Sequence, residues 1–527
     1  MAISNDHDAL VAQAEALIRA HNYEEAITVC DRGLMHDPNS AECLFQRSVA
    51  RARLDQYEFA LSDLETALYI NPNLKFLADT DLYLRARVCR WANYAEKVDS
   101  VLQHVDAHQA VRPYHILAIP SLPSQQLNAA SSFFLDSSPP DEETVSSALP
   151  ANGKIRLGYF SADFYDHAIS HLINGMFEVH DRSRFEIIAF ALGGRNDPVR
   201  NLMIEVSDQL IDVSGMSDEQ VVFLARQLGI HIGIDMNIYL DRQPNIFARR
   251  VAPIQVNYLG YPGTAGTNCY DYIIGDRMVT PPEHNAYFAE RVVTMPHSYQ
   301  ATSLRRYTEF RPFTKHELGL PETGFVFCSF NLSFKITPDV FDIWMRLLTM
   351  VEGSVLWLLS SNPAAEQNLK QEAEKRNVSR DRLIFAPRMP LADHLARHRA
   401  ADLFLDTFHY GGHTTTSDSL WAGLPVITRL GVAFAGRVAA SLLSAAGLPD
   451  LIAQNSGDYE KLALDLATRP ETLARIKSRL ASNKRSCPLF DTERYTRNIE
   501  SAYTEMWNKH ELGLGPENIT VTEEEAR

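Results

Sequence analysis

The sequence predicts two doubly wound α/β domains preceded by an all-α helical-repeat arm. Three observations carry that prediction. A pattern of small, aromatic and Pro residues recurs at an offset of 34 near the start. From residue 154 onward, short continuous apolar runs alternate with amphipathic stretches. Continuous apolar strands between helices mark parallel sheets covered on both faces. That texture occurs twice, over about 154–317 and 318–510.

The arm comes first, over residues 1–110. Asn22-Tyr23 followed by Ala26 recurs as Gln56-Tyr57 followed by Ala60, and Leu34 and Pro38 recur as Leu68 and Pro72. Each unit holds two amphipathic stretches, 10–21 with 23–35 and 43–54 with 57–70. The alanines let paired helices approach closely, and the prolines end the second helix. Period, aromatic, Ala and Pro together resemble two tetratricopeptide repeats. A third, drifted helical pair is expected across 80–108, where a solenoid would dock onto its neighbour. Residues 111–153 are rich in Pro and Ser and predict an exposed linker.

In the first α/β domain, KIRLGYF, FEIIAFAL, IHIGIDM, IQVNYL, YDYIIGD and ERVVTMP are the expected strands. In the second they are FVFCSF, SVLWLL, RLIFAP, ADLFLD and LPVIT. Residues 511–527, polar and acidic, predict a mobile tail.

Composition narrows the function classes. The chain has 527 residues, too many for one core, and a formal net charge of −16. Such a surface repels phosphate backbones, so no nucleic-acid partner is expected. Six cysteines are scattered with no Cys-x-x-Cys pair. That spacing predicts reduced thiols rather than a disulfide framework or zinc site. No basic and apolar leader and no run of 18 apolar residues appear, which predicts a cytoplasmic protein with no membrane span. The Asp79-Thr80-Asp81 pair lies in the arm and is read as a helix start rather than a metal bridge, so no metal site is expected.

Four loops after strands could carry chemistry, since ligands of such sheets sit at the carboxyl ends of strands. The first, Ser161 to His171, puts His167 at a cleft edge, where a structural or a chemical role is open. The second, Leu259 to Gly266, is Gly-rich and equally suits a plain turn. In the third, Lys335 precedes Thr337-Pro338, a helix start. A Lys there opposes the helix dipole, which makes sense if an anion is shared by both. The fourth, LDTFHYGGHTTTSD over 405–418, pairs Gly411-Gly412 with a run of Thr and opens a helix expected over Asp418–Ala422. Its N–H groups form an anion site suited to a diphosphate, with Asp418 about a turn away for ribose hydroxyls.

These strings, SADFYDHAISH, QVNYLGYPGTAG, DYIIGD, MPHSY, FNLSFKITP, LDTFHYGGHTTTSDSLWAG and RVAASLL, resemble the catalytic region of the O-linked N-acetylglucosamine transferases, glycosyltransferase family 41. The resemblance covers about residues 85–508, and a repeat arm before it is the family's arrangement. It implies a GT-B fold of two Rossmann-like domains with the nucleotide in the second. It implies an inverting, metal-independent transfer of N-acetylglucosamine from UDP-N-acetylglucosamine to Ser or Thr of a protein acceptor, held partly by the arm, with no cofactor. By resemblance, Lys335 neutralises the diphosphate leaving group. His413, Thr414 and Thr415 bind phosphate, and Asp418 binds ribose. Met389, His394 and Arg397 lie near the uridine, while Leu259, Gly260 and Pro262 line the sugar pocket. His167 and His231 are the two histidines that could serve as base or substrate contact. Leu332 and Leu391 stand where the family often has Gln and Lys. A protein O-fucosyltransferase of SPINDLY type using GDP-fucose, a UDP-hexose transferase, and a non-catalytic repeat scaffold are the alternatives.

Overall fold

A computed structural model describes residues 2–137, 153–240, 243–303 and 311–523. Six helices build the arm as three antiparallel pairs: α1 (Ala2–Arg19) with α2 (Tyr23–His36), α3 (Ala41–Arg53) with α4 (Tyr57–Ile70), and α5 (Leu77–Arg87) with α6 (Tyr94–Asp106). Ala26 and Ala60, the repeated small residues, are fully buried where the paired helices meet. Arg47 bridges successive pairs, bonding Asp31 at 2.6 Å and Asp63 at 2.6 Å.

The third pair corrects the reading of Asp79 and Asp81. Helix α5 begins at Leu77, with Phe76 as its cap residue, so neither Asp caps it. Asp79 accepts from His115 Nδ1 at 2.8 Å, and Asp81 pairs with Arg85 at 2.8 Å and Lys97 at 2.6 Å. Both acids tie the arm to itself and to the segment that follows.

That segment is not an exposed linker over its first part. A short 3₁₀ turn spans Pro113–Ile116, and α7 runs Pro123–Ser137. Ile116, Leu117, Ile119, Ala129 and Phe134 are buried. The prolines start these elements, a role Pro takes readily at a first helical position, and the apolar residues between them pay no regard to the Pro-rich composition. Residues 138–152 of the expected linker lie outside the described residues.

The first α/β sheet contains β1 (Ile155–Ser161), β2 (Phe185–Ala191), β3 (Gln209–Asp212), β4 (Ile232–Asp235), β5 (Ile254–Asn257), β6 (Tyr272–Asp276) and β7 (Arg291–Met295). The second contains β8 (Val326–Ser329), β9 (Val355–Leu359), β10 (Leu383–Ala386), β11 (Leu403–Leu405), β12 (Val426–Arg429) and β13 (Ile452–Ala453). A last strand, β14 (Ile519–Thr520), returns to the edge of the first sheet beside β7. Every pairing is parallel.

Strand order reads β14-β7-β6-β5-β4-β1-β2-β3 in one sheet and β10-β9-β8-β11-β12-β13 in the other. Counted from each sheet's own first strand, both contain the Rossmann order 3-2-1-4-5-6, which reverses direction beside its first strand. The reversal lies between β1 and β4 in one sheet and between β8 and β11 in the other. Loops leaving those strands diverge and open a crevice, so the topology fixes where a ligand fits before any side chain is considered.

The chain end also differs from expectation. The last helix, Thr492–Glu511, packs on the first α/β domain. Its Tyr495 and Tyr503 hydroxyls bond Tyr258 at 2.7 Å and Tyr159 at 3.2 Å, and Glu500 accepts from His180 Nδ1 at 2.8 Å. Ile519 and Val521 are buried. The span expected as a mobile tail therefore forms, through Val521, an edge strand and its approach. A two-residue strand is too short to leave a periodic signal in sequence. The six cysteines are all buried and free. Among the described residues no helix is long and apolar enough to cross a membrane.

Candidate functional site

The carboxyl ends of the two sheets face each other across a cavity of about 590 Å³. Eleven of the thirteen residues singled out from sequence line it: His167, Leu259, Gly260, Lys335, Met389, His394, Arg397, His413, Thr414, Thr415 and Asp418. Pro262 is buried behind the cleft, and His231 lies elsewhere.

Lys335 closes a 3₁₀ turn, Ser333–Lys335, just after β8. Its Nζ donates to Gly411 O at 3.0 Å and sits 3.8 Å from the centre of the Tyr410 ring. Burial pulls the ammonium from the ordinary 10.5 down to about 7, although Asp406 nearby favours the charge. The Lys335 loop and the Gly-Gly loop thus leave β8 and β11 on the two sides of the switch point.

Asp406, which sequence reasoning passed over, organises that second loop. It is fully buried at the end of β11 and accepts from Gly412 N at 2.5 Å, Thr428 Oγ1 at 2.7 Å and Asn331 Nδ2 at 3.1 Å. Burial pushes its carboxyl above the usual range, and these donors oppose that. Asn331 in turn accepts from Thr415 Oγ1 at 2.6 Å. A Cβ on Gly412 would stand 2.5 Å from Thr416 Oγ1 and 2.7 Å from Thr415 Oγ1. Gly412 is therefore required first by packing of the Thr run, and a Cβ on Gly411 would stand 2.9 Å from Asp406 Oδ2. A buried acid directly after an apolar strand and before Gly-Gly was the signal available in sequence.

The helix opened by this loop runs Thr414–Ala422, starting four residues before the expected Asp418. Its first N–H groups have no partners one turn back, and its dipole is positive here. His413 precedes it; its Nε2 donates to Ala435 O at 3.0 Å, and burial, then Lys335, pushes the imidazole down to about 3. It is neutral and adds no charge to the site.

On the other flank, Arg397 is almost fully buried, donates to His394 Nδ1 at 2.7 Å and to Pro387 O at 2.5 Å, and stacks over Phe330 at 4.5 Å. Burial pushes His394 down to about 2, so the ring is neutral, with its proton on Nε2. Arg397 holds His394 and the backbone at Pro387 rather than presenting a free cation.

From the first domain, His167 caps helix α8 (Ala168–Val179), its Nδ1 accepting from Ile169 N at 3.4 Å. Asp163 Oδ2 lies 3.5 Å from the same nitrogen and is itself held by Asn237 Nδ2 at 2.6 Å. Burial holds the imidazole below the ordinary histidine value, and Asp163 partly offsets this. Leu259 adopts φ +73°, an uncommon place for a branched residue. At the next residue, Gly260, a Cβ would overlap Met236 O at 1.8 Å, so two chain segments meet there without room for a side chain.

His231 does not join this group. It precedes β4, at the amino end of the sheet and opposite the crevice. It is fully buried, accepts from Arg156 N at 2.7 Å through Nδ1, and packs edge-on against Trp507 at 4.6 Å. The sequence offset from β1 and β4 is what hides this, since the two histidines flank opposite ends of neighbouring strands. Sequence reasoning also missed Tyr299 and Gln300, which line the cleft; Tyr299 Oη and Gln300 Nε2 are buried without a hydrogen-bond partner among the described residues.

The chain matches the family description Glycosyl transferase family 41 over residues 137–309 and 300–499. It is 33% identical over 461 residues to a probable UDP-N-acetylglucosamine–peptide N-acetylglucosaminyltransferase, SEC, of Arabidopsis thaliana, covering 83% of this chain and 47% of the relative. A Caenorhabditis elegans UDP-N-acetylglucosamine–peptide N-acetylglucosaminyltransferase is 26% identical over 569 residues, with 82% and 49% covered. The chain spans about half the length of the curated relatives it matches. A mutant of the Thermobaculum terrenum O-GlcNAc transferase superposes with TM-score 0.78 at 25% identity, covering 97% of this chain and 98% of the other.

Proposed function

This chain belongs to glycosyltransferase family 41, and we propose on that premise that it moves N-acetylglucosamine from UDP-N-acetylglucosamine to Ser or Thr of proteins, with inversion and no metal step. The observation that carries the reading is the pairing of Lys335 Nζ with the Gly411 carbonyl, at the mouth of the Thr414–Ala422 helix and at the switch point of the second sheet. A diphosphate bound there would meet a lysine on one side and helix N–H groups on the other.

As the bond between sugar and β-phosphate oxygen breaks, negative charge grows on that oxygen. A fixed ammonium and oriented N–H groups stabilise it without reorganising. Burial lowers Lys335 to about 7, so at pH 7 the free protein carries it in both charged and neutral forms, and an arriving diphosphate favours the charged form. Asp418 is positioned for ribose hydroxyls, and Met389 with His394 for the base. The acceptor oxygen attacks the anomeric carbon from the opposite face and loses its proton to a base. His167, beside Asp163 at 3.5 Å, suits that role better than His231. The arm would carry the acceptor chain, as concave repeat surfaces do. Its buried thiols suit a reducing compartment, so we assign it to the cytoplasm.

The test is transfer itself. Purified chain, UDP-N-acetylglucosamine and a mixed Ser/Thr peptide pool should yield UDP and peptides heavier by one N-acetylhexosamine. UDP release without peptide gain, or neither, would remove the transfer assignment.

A further inference from the structure

A second cavity of about 420 Å³ lies between the arm and the first α/β domain. Tyr114 and Leu240 line both this cavity and the cleft, so the two are neighbours sharing a wall. Its lining brings together Arg53 of α3, Arg87 of α5 and Arg112, with Asp55 the one carboxylate among its lining residues. The clustering is notable in a chain whose formal net charge is −16.

Two of these guanidinium groups, the exposed Arg53 and Arg87, have no carboxylate partner within ion-pair distance among the described residues, while Arg112 pairs with Asp79 and donates to Thr80 Oγ1 at 2.7 Å. Arg87 instead donates to Tyr57 Oη at 2.5 Å, and the same hydroxyl donates to Asp55 Oδ1 at 2.8 Å, so Asp55 is engaged. Arg112 stands 3.8 Å from Asp79, but Asp79 also holds His115 Nδ1 at 2.8 Å. Burial, and then the charge of Arg53, hold Arg112 below the ordinary arginine value, while Asp79 opposes them. Guanidinium forks match carboxylates in geometry.

The distance to the chemistry is short. Ring centres run from Tyr83 to Tyr114 at 6.1 Å and from Tyr114 to Tyr410 at 6.2 Å, and Lys335 Nζ is 3.8 Å from the Tyr410 ring. Those steps place the Tyr83 ring, in the wall of the second cavity, no more than roughly 16 Å from Lys335 Nζ, the reach of about five extended residues.

We infer that this cavity is an acceptor subsite for acidic side chains, Asp or Glu, lying within about five residues of the modified hydroxyl. The inference rests on the protein-glycosylation reading above. Carboxylates entering from the arm meet Arg53 first, then Arg87 and Arg112 deeper in. Such pairing chiefly raises encounter and capture, so it acts on KM and weakens with salt.

The experiment compares peptides with one Ser flanked on either side by Glu-Glu-Glu, Gln-Gln-Gln or Lys-Lys-Lys, using the full chain. The Glu peptide should have a kcat/KM about five- to tenfold above the Gln peptide at low salt, and the gap should close by ~0.5 M salt. Arg53→Glu should abolish that preference and favour the Lys peptide, with UDP affinity and donor hydrolysis unchanged, since Arg53 lies outside the donor cleft. Arg53→Gln, which removes charge without reversing it, should narrow the Glu-over-Gln gap without inverting it, because Arg87 and Arg112 remain. Equal kcat/KM for all three peptides with wild-type chain overturns the inference while leaving the transfer reading intact. A Glu preference unaltered by Arg53→Glu likewise overturns it. No transfer to any peptide removes both.

Discussion

Replacing Lys335 by Met should separate chemistry from stability. The ammonium is displaced from 10.5 to about 7 by burial, and each pKa unit is about 1.36 kcal/mol. The folded protein therefore holds this charge at a cost of several kcal/mol when the site is free. Loss of the Gly411 hydrogen bond and the Tyr410 contact offsets about 1–3 kcal/mol of any relief. The sign follows from linkage. A lysine whose folded pKa lies below its unfolded one makes the unfolded state bind more protons between about pH 7 and 10.5, so wild-type stability rises with pH across that window. Lys335→Met should flatten that rise and melt no lower than wild type at pH 7. Its kcat should fall by about 10²–10³, the usual loss of one donor from such a cradle. Thermal melts at pH 7 and 9, beside UDP release under saturating donor, measure both quantities. A kcat within about threefold of wild type, or a lower melting point with kcat in proportion, would refute the reasoning.

Three further substitutions probe the remaining assignments. His167→Ala should lower kcat by about 10²–10⁴, and in wild type the acid limb of the rate profile should lie below the ordinary 6.5, because burial holds His167 down; Asp163→Asn should move that limb lower still, since Asp163 opposes the burial effect, and a limb that does not move would detach His167 from the base role. His231→Ala should leave kcat within a few-fold while lowering stability by about 1–3 kcal/mol through the unpaired Arg156 N–H and the void beside Trp507; a loss of kcat beyond about tenfold at full folding would return His231 to the chemistry. Gly412→Ala should raise the donor Kd at least about tenfold, because its Cβ would meet Thr416 and Thr415 within 2.7 Å; unchanged nucleotide affinity would show that the Thr run does not hold the diphosphate.

What the sequence made legible follows from how each feature is encoded. Strands such as Ile155–Ser161 and Val355–Leu359 are buried on both faces and carry continuous apolar runs, so they stood out. Edge strand β3 is Gln209–Asp212, exposed at both ends, and left no such run. The tetratricopeptide period was visible because Ala26 and Ala60 must be small where helices touch. The Pro-rich stretch misled because composition does not distinguish Pro that starts a helix from Pro that breaks one. In the cleft, Lys335 and the Thr414 helix were readable from loop position alone. Asn331 was not, since it bonds Asp406 and Thr415 far along the chain, and Asp163 depends on Asn237 to hold it beside His167. His231 looked equivalent to His167 until the strand direction placed one at each end of the sheet.

All of these assignments require a nucleoside diphosphate between Lys335 and the start of the Thr414–Ala422 helix, with uracil as its base. Titration calorimetry of the full chain with UDP and with GDP, side by side and without added metal, tests that directly. Saturable UDP binding, no GDP response, and proton uptake at pH 8 that disappears in Lys335→Met are the expected results. Preferential GDP binding, binding of neither, or UDP binding with identical proton uptake in Lys335→Met would contradict these assignments.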